Sequence, residues 1–357
     1  MFPGRILCRC ACQLFVFFKE TSLVMLNDRT FPFLRAKALS VLFVLATTTF
    51  SLAADASTPT WTKLKPTRAL PARASFASAY DPVSQKVVLF GGYNATVILS
   101  ETWTFDGTTW TRIATPAKPG PRFAAAMAYD SKIHKLVLFG GVFGFGRLNE
   151  TWLFDGATST WTQANPATIP PAAAEPVLFT DPLTGHVIMF GGYRGPFYSR
   201  DTYRWTGTNW KKLKPSTSPY PRSAAVAIED PVHNNVVLFG GISDIWLVQN
   251  TWTWDGTNWT RQTPWRQPQP LYRTKGAFVP ALNQAVVFGG GSEAVDQTDT
   301  WAWTGTNWKQ LSTTQNPPPR EQLGAVWDPA TGQFLVFGGT VFNTDILYGD
   351  TWQLTAQ

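Results

Sequence analysis

The chain has 357 residues, of which 44% are hydrophobic, 14% aromatic and only 15% charged, a balance that excludes a disordered chain and points to a packed core. Its formal charge of +7 is inflated by residues 1–56, which hold six basic and three acidic groups; the remainder carries 24 basic and 20 acidic groups. No lysine- or arginine-rich run remains there, which excludes nucleic acid as a partner, and all three cysteines (Cys8, Cys10, Cys12) lie in the same first segment, which excludes disulfides and thiolate sites beyond it.

The first 56 residues read as a secretory leader. A basic flank at Arg35 and Lys37 precedes an apolar stretch from Ala38 to Leu52. Small-x-small triplets then follow at Ser51-Leu52-Ala53 and Ala54-Asp55-Ala56, placing cleavage near Ala53 or Ala56. The apolar stretch is short and interrupted by Thr47-Thr48-Thr49, which argues against a stable membrane span once the leader is removed. Residues 1–24 are unusual as the start of a signal, and Met25 offers a more ordinary one. The expected location is bacterial-type: secreted, periplasmic or on the cell surface.

From residue 57 to 357 the chain repeats. The stretches "VVLFGG", "LVLFGG", "VIMFGG", "VVLFGG", "AVVFGG" and "FLVFGG" place their first glycine at 91, 140, 191, 240, 289 and 338, with spacings of 49, 51, 49, 49 and 49. A lone diglycine after an apolar strand resembles a phosphate-binding turn, but no lysine and no helical pattern follow it, and six copies in register mark a β-propeller. Each repeat divides into four strands, a to d. In residues 122–163 these are an alanine-rich strand, "KLVLFGG", "ETWLFDG" and "TWTQ". Small residues on the innermost strand suit a wedge that tapers toward a channel, and Asp-Pro and Thr-Gly supply the a–b turns. Six third strands occur, but the sixth repeat ends at "TWQL" without a fourth; "TWTKL" at 60–64 supplies it. The prediction is an all-β, six-bladed propeller of four antiparallel strands per blade. Its blades cover about 73–113, 122–163, 173–213, 222–262, 272–311 and 320–354, the last completed by 60–64, which removes an open sheet edge.

"PR" before the first strand, a hydrophobic strand ending in Gly-Gly, an acid or amide before the third-strand Trp, and a fourth-strand Trp together resemble the kelch repeat, over residues 60–354. The resemblance implies the propeller and leaves the activity open, since kelch-type propellers include adaptors, oxidases and sialic-acid isomerases. The copper site of galactose oxidase relatives needs tyrosines, histidines and a cysteine crosslink. Here the domain has no cysteine, and His134, His186 and His233 fall in a–b hairpins of different blades, so no cofactor and no metal are expected. "TFDGTTW" and "TWDGTNW" are similar to sialidase Asp boxes but have Asp and Gly adjacent, which makes them turn-and-Trp elements. A sialic-acid mutarotase or sialidase-type enzyme would need an acid/base residue near arginines, for which Glu175 is the candidate.

Fifteen of the 17 tryptophans fit repeat positions that pack blade against blade; Trp246 and Trp265 do not. Together with Phe197, Tyr198, Tyr220 and Tyr272 they fall in b–c and d–a loops of blades 3 to 5, expected on one face. Arg73, Arg122, Arg222, Arg273 and Arg320 stand eight residues before the a–b turn aspartate or its equivalent, taken as Ala281 in blade 5; blade 3 has Ala173 there. In kelch adaptors such arginines contact acidic peptides, because a planar guanidinium matches a carboxylate. The alternative is that they bond loop carbonyls or pair with the acids that begin the third strands. The leading expectation is a secreted, monomeric, non-enzymatic module that binds a protein, peptide or glycan, anionic ligands among them, through the b–c and d–a loops. A carbohydrate-active enzyme and a structural surface module are the alternatives. N-terminal sequencing of the exported protein should begin just after Ala53 or Ala56; an intact first 56 residues on exported protein would refute the leader.

Overall fold

The computed structural model describes residues 58–355, apart from 245 and 294. The leader, Met25 and both cleavage triplets lie outside the described residues. Six four-stranded antiparallel sheets repeat around a channel. Blade 1 is typical, with strand a at Ala77–Asp81, b at Lys86–Phe90, c at Thr102–Phe105 and d at Trp110–Ile113. The ring closes as expected. Thr60–Lys63 pairs antiparallel with Thr351–Thr355, Trp61 opposite Leu354, and becomes the outer strand of blade 6. Among the described residues no helix is long and apolar enough to cross a membrane.

The sequence pattern explains each layer. The b strands read as unbroken apolar runs because both of their faces are covered by neighbouring blades; Val87, Val88, Leu89 and their counterparts are fully buried. Each a strand ends on a buried aspartate in five of six blades, and that carboxylate accepts backbone N–H groups of its own turn, as Asp81 does from Ser84 at 3.0 Å. This is why Asp-Pro recurs there: an acceptor that closes the turn also spares buried amides an unpaired state.

Two six-fold sets of hydrogen bonds join the blades. In the first, the d-strand tryptophan donates its indole N–H to the threonine that opens the c strand of the preceding blade: Trp110 to Thr351 at 3.0 Å, Trp161 to Thr102 at 2.9 Å, Trp210 to Thr151 at 2.8 Å. Trp259, Trp308 and the N-terminal Trp61 do the same to Thr202, Thr251 and Thr300. In the second, the second glycine of each diglycine donates to a carbonyl of the next blade, from Gly92 to Arg122 at 2.8 Å around to Gly339 to Arg73 at 2.9 Å. The first glycine has φ of 60–74° in all six copies, and a Cβ there would stand within 2.3–3.0 Å of the neighbouring carbonyl oxygen in every blade. Glycine is required by close approach as well as by φ.

Eleven of the fifteen repeat tryptophans are buried; Trp152, Trp252, Trp327 and Trp352 are half-buried against the same clusters. Trp61 alone, from the far end of the chain, packs on Phe288 of blade 5 and Phe334 of blade 6 at ring distances of 5.0 and 5.8 Å. Trp61→Ala should therefore cost about 3–5 kcal/mol, the range for emptying a large aromatic site, and open the ring at one seam. Chemical denaturation should show this loss, with protection from hydrogen exchange falling first in Thr351–Thr355; an unchanged midpoint would refute the closure.

Candidate binding face

The arginines of the sequence pattern divide into two groups. Arg73, Arg122, Arg222 and Arg320 are buried, and each guanidinium is hydrogen-bonded to backbone carbonyl oxygen and to the side chain that opens strand c, with one nitrogen each of Arg73 and Arg222 unpartnered. Arg122 is representative. It donates from Nε to the Gly120 carbonyl, from Nη1 to the Gly140 carbonyl and from Nη2 to Glu150, whose carboxylate also accepts from the Trp152 indole. Arg73 pairs likewise with Glu101, Arg222 with Asn250 and Arg320 with Asp350. Burial pulls the Arg73 and Arg122 pKa values down, and that of Arg222 to about 9. These four tie the start of strand a to the start of strand c. Their geometry is that of the alternative in which they bond loop carbonyls and third-strand acids, not that of open ligand contacts. In blade 3, where Ala173 leaves the slot without a guanidinium, Arg194 reaches Asp201 from the b–c loop instead, at 2.9 Å.

Arg273 does not belong to that set, and the sequence register that put it there needs correction. Strand pairing matches Val279 with Gln284, as Asp81 matches Lys86, so Val279 and not Ala281 is the turn-aspartate equivalent in blade 5. Counting back eight residues gives Leu271, whose carbonyl accepts from Gly241 as the arginine carbonyls do elsewhere. Pro280 after an apolar residue had hidden the turn. Arg273 therefore occupies the position two residues further on, with Ser75, Ala124, Glu175, Ala224 and Gln322. All six have φ of 49–57°. Five of the six N–H groups donate to the matching carbonyl of the preceding blade, for example Glu175 to Ala124 at 2.8 Å and Arg273 to Ala224 at 2.8 Å. A left-handed backbone at a non-glycine residue costs on the order of 1 kcal/mol, and the ring of hydrogen bonds offsets it.

These residues rim one mouth of the channel and put unlike side chains over it. Arg273 donates from Nε to Glu175 at 2.5 Å and from Nη1 to Glu321 at 3.0 Å, so the candidate base Glu175 is clamped in an ion pair. Burial would lower the Arg273 pKa, but the charges of Glu175 and Glu321 more than offset that and hold it above its ordinary value. Gln322 donates to Glu321 at 3.0 Å and accepts from the Tyr93 hydroxyl at 3.0 Å. Burial, with the Glu321 charge, pushes the Tyr272 hydroxyl up to about 12. Asp296 accepts from the Phe342 N–H at 2.6 Å, and burial, with Glu321 nearby, pushes its carboxyl up to about 6. One oxygen each of Glu321 and Asp296 is buried without a partner. On the other side Tyr193 packs against Tyr198 at a ring distance of 5.0 Å with the rings tilted by 40°, and Arg147 lies over Tyr193 at 4.4 Å.

Of the predicted aromatic cluster, Tyr198 and Tyr272 belong to this mouth, Tyr272 buried and Tyr198 half-buried. Phe197, Tyr220 and Trp246 are exposed in the loops around it, Trp246 at 72%. Trp265 is 86% exposed but stands apart: the neighbouring Arg266 is bonded by its N–H to Asn307 and by its carbonyl to Trp308, at the c–d turn and outer strand of blade 5. The d–a connection runs along the blade's outer edge, so Trp265 does not join Trp246 in one cluster. Sequence reasoning missed Tyr93, Arg147, Tyr193, Asp296, Glu321 and Gln322. For Tyr93, Tyr193, Glu321 and Gln322 the available signal was columnar: aligned copies of the repeat carry unlike residues just after the diglycine and at the second and third positions before the channel strand, whereas Arg147 and Asp296 lie in the irregular b–c loops. The three histidines stay at the a–b turns, His134 bonded to Tyr129 at 3.1 Å, His233 to Asp230 at 2.8 Å, and His186 to the turn aspartate Asp130 of the neighbouring blade at 3.0 Å.

Comparison with known proteins bears on the fold. The model of the KLHDC2/KLHL20/DRC7 Kelch-repeats domain matches residues 46–241 and 182–357. No curated protein matches the sequence. Among solved structures, that of YjhT superposes with a TM-score of 0.64 at 16% identity, over 82% of this chain and 99% of that one. At that identity the likeness speaks for the fold alone.

A testable consequence concerns Asp296. Its folded-state pKa of about 6 lies above the ordinary carboxylate value, so its burial costs nothing at low pH, where it is protonated in both states. The cost appears as pH rises through the ordinary range and is complete above about 6. Asp296→Asn should raise the Tm at about pH 8 and leave it unchanged near pH 3; equal shifts at both would refute the assignment.

Proposed function

We propose, for a chain that belongs to the kelch-repeat family, that it is a binding module engaging a protein or peptide through the b–c loop face. Kelch propellers are commonly protein-binding modules. One observation carries the reading to this face: the b–c loop of every blade exposes a large apolar side chain, with Val97, Phe145, Phe197, Trp246, Val295 and Phe342 in blades 1 to 6. The a–b turns of the opposite face do so in three blades, through Val83, Leu183 and Val232. Apolar side chains held at loop tips around a polar centre are the composition of an interface, and aromatic anchors such as Trp246 carry most of the energy in such surfaces.

The mouth inside this rim refines the partner. Of its arginines, Arg273 is paired with two carboxylates and Arg147 lies on a tyrosine with its Nε unpartnered, while Glu321 and Asp296 each keep an unpartnered oxygen. That balance favours a partner that presents hydroxyl or amide donors or a basic side chain at the centre, over the anionic ligand suggested by the arginine count. With the leader read as a secretion signal, the partner is sought outside the cytoplasm. On a peptide and glycan array, Trp246→Ala combined with Phe197→Ser should reduce retention on the recognised ligand by tenfold or more, a loss of about 1.4 kcal/mol or more, with the Tm unchanged. Undiminished retention would refute the face.

A further inference from the structure

The channel below the mouth carries its own chemistry. It encloses about 670 Å³, within the ~300–1,000 Å³ of small-ligand sites, and is walled by the a strands of all six blades. Most of its lining is small and apolar, from residues such as Ala79, Ala227, Ala277 and Ala325. Three charged residues line it: Asp230, which is tied up by its own turn and by His233, and two others, Lys275 from blade 5 and Glu229 from blade 4. Both are accessible to water in the lumen, yet enclosed by protein. Neither is in an ion pair among the described residues. Among the described residues Glu229 takes a hydrogen bond only from Thr180, whose N–H lies 3.1 Å away, and the Lys275 ammonium has no hydrogen-bond partner.

The register fixes where the two charges stand. Lys275 pairs with Phe288, the last residue of its b strand, as Val226 does with Phe239, so the two share a level next to the mouth. Glu229 lies three residues further along the same kind of strand, about 10 Å down the channel at 3.3 Å per residue. Its level is the aromatic one: Tyr80, Tyr129, Phe278 and Trp327 occupy the same position in their blades and line the same cavity. A carboxylate among aromatic rings is the chemistry that holds an ammonium group, by charge and by cation–π attraction. A lysine without a counter-charge partner at the end of an apolar tube is the chemistry that holds a carboxylate.

We propose that the channel binds a short linear zwitterion of oligopeptide type, its carboxylate at Lys275 and its ammonium at Glu229. An extended tripeptide spans about the required distance between its termini. Each channel charge is held toward its neutral form by enclosure, Glu229 upward and Lys275 downward in pKa despite the nearby Glu175, and a zwitterion would supply both missing counter-charges at once.

Titration calorimetry of the full chain with trialanine, N-acetyl-trialanine and trialanine amide tests this. Trialanine should bind, and blocking either terminus should weaken binding by on the order of tenfold or more. Glu229→Gln, close in shape, should erase the difference between the free and acetylated amino ends. Lys275→Met, or Lys275→Gln if the first lowers the Tm, should erase the difference between acid and amide. Trp246→Ala should leave trialanine binding unchanged, which separates this site from the loop face. Absence of heat with di-, tri- and tetra-alanine, equal binding of free and blocked peptides, or discrimination that survives in folded variants would each overturn the proposal.

Discussion

The hydrogen bond from a d-strand indole to the opening threonine of the preceding blade's c strand is what the rest of the structure depends on. It is made six times, and each copy is buried. A blade of four short strands cannot bury its own faces, and a wedge that turns by a fixed angle needs a contact that recurs at a fixed place. The tryptophan supplies apolar area and one polar group. The threonine accepts that group, so the seam is dry without leaving a donor unpaired. The Gly-Gly bonds on the inner side do the same work nearer the channel, so each blade is fixed at two radii.

Given rigid seams, variation is free to collect where the chain leaves them. Just after each diglycine the backbone is held by a bond within its own blade, and just before each channel strand by bonds between blades, which join the six left-handed residues. Side chains there differ from blade to blade: serine, alanine, glutamate, alanine, arginine and glutamine in turn. The mouth gains its Glu175–Arg273–Glu321 bridge across three blades in this way. Strain paid by the scaffold becomes precise placement of unlike groups.

The same constraint sorts the arginines. A guanidinium at the start of strand a is a strut between two strands when an acid or amide opens strand c, and most of its donors are used there, with one nitrogen each of Arg73 and Arg222 left unpartnered. The one arginine free of that duty is the one displaced by two residues, and it is the one that reaches across the mouth. Composition alone weighs all five equally.

Period, blade count, strand order and ring closure were determined by the sequence itself, because each rests on local chemistry that recurs: apolar runs, diglycines, turn aspartates and paired tryptophans at a spacing near fifty. The missing fourth strand of blade 6 and the stray "TWTK" at the other end sufficed for closure. What only the tertiary structure decided is which unlike residues meet. Glu175, Arg273 and Glu321 are far apart in sequence and lie in three different blades. Their meeting depends on a register that Val279-Pro280 disguises and on the outward path of the d–a connections, which carries Trp265 away from Trp246. Sequence spacing measures distance along one blade. Function at a propeller's axis is set by distances between blades, which closure of the ring alone fixes.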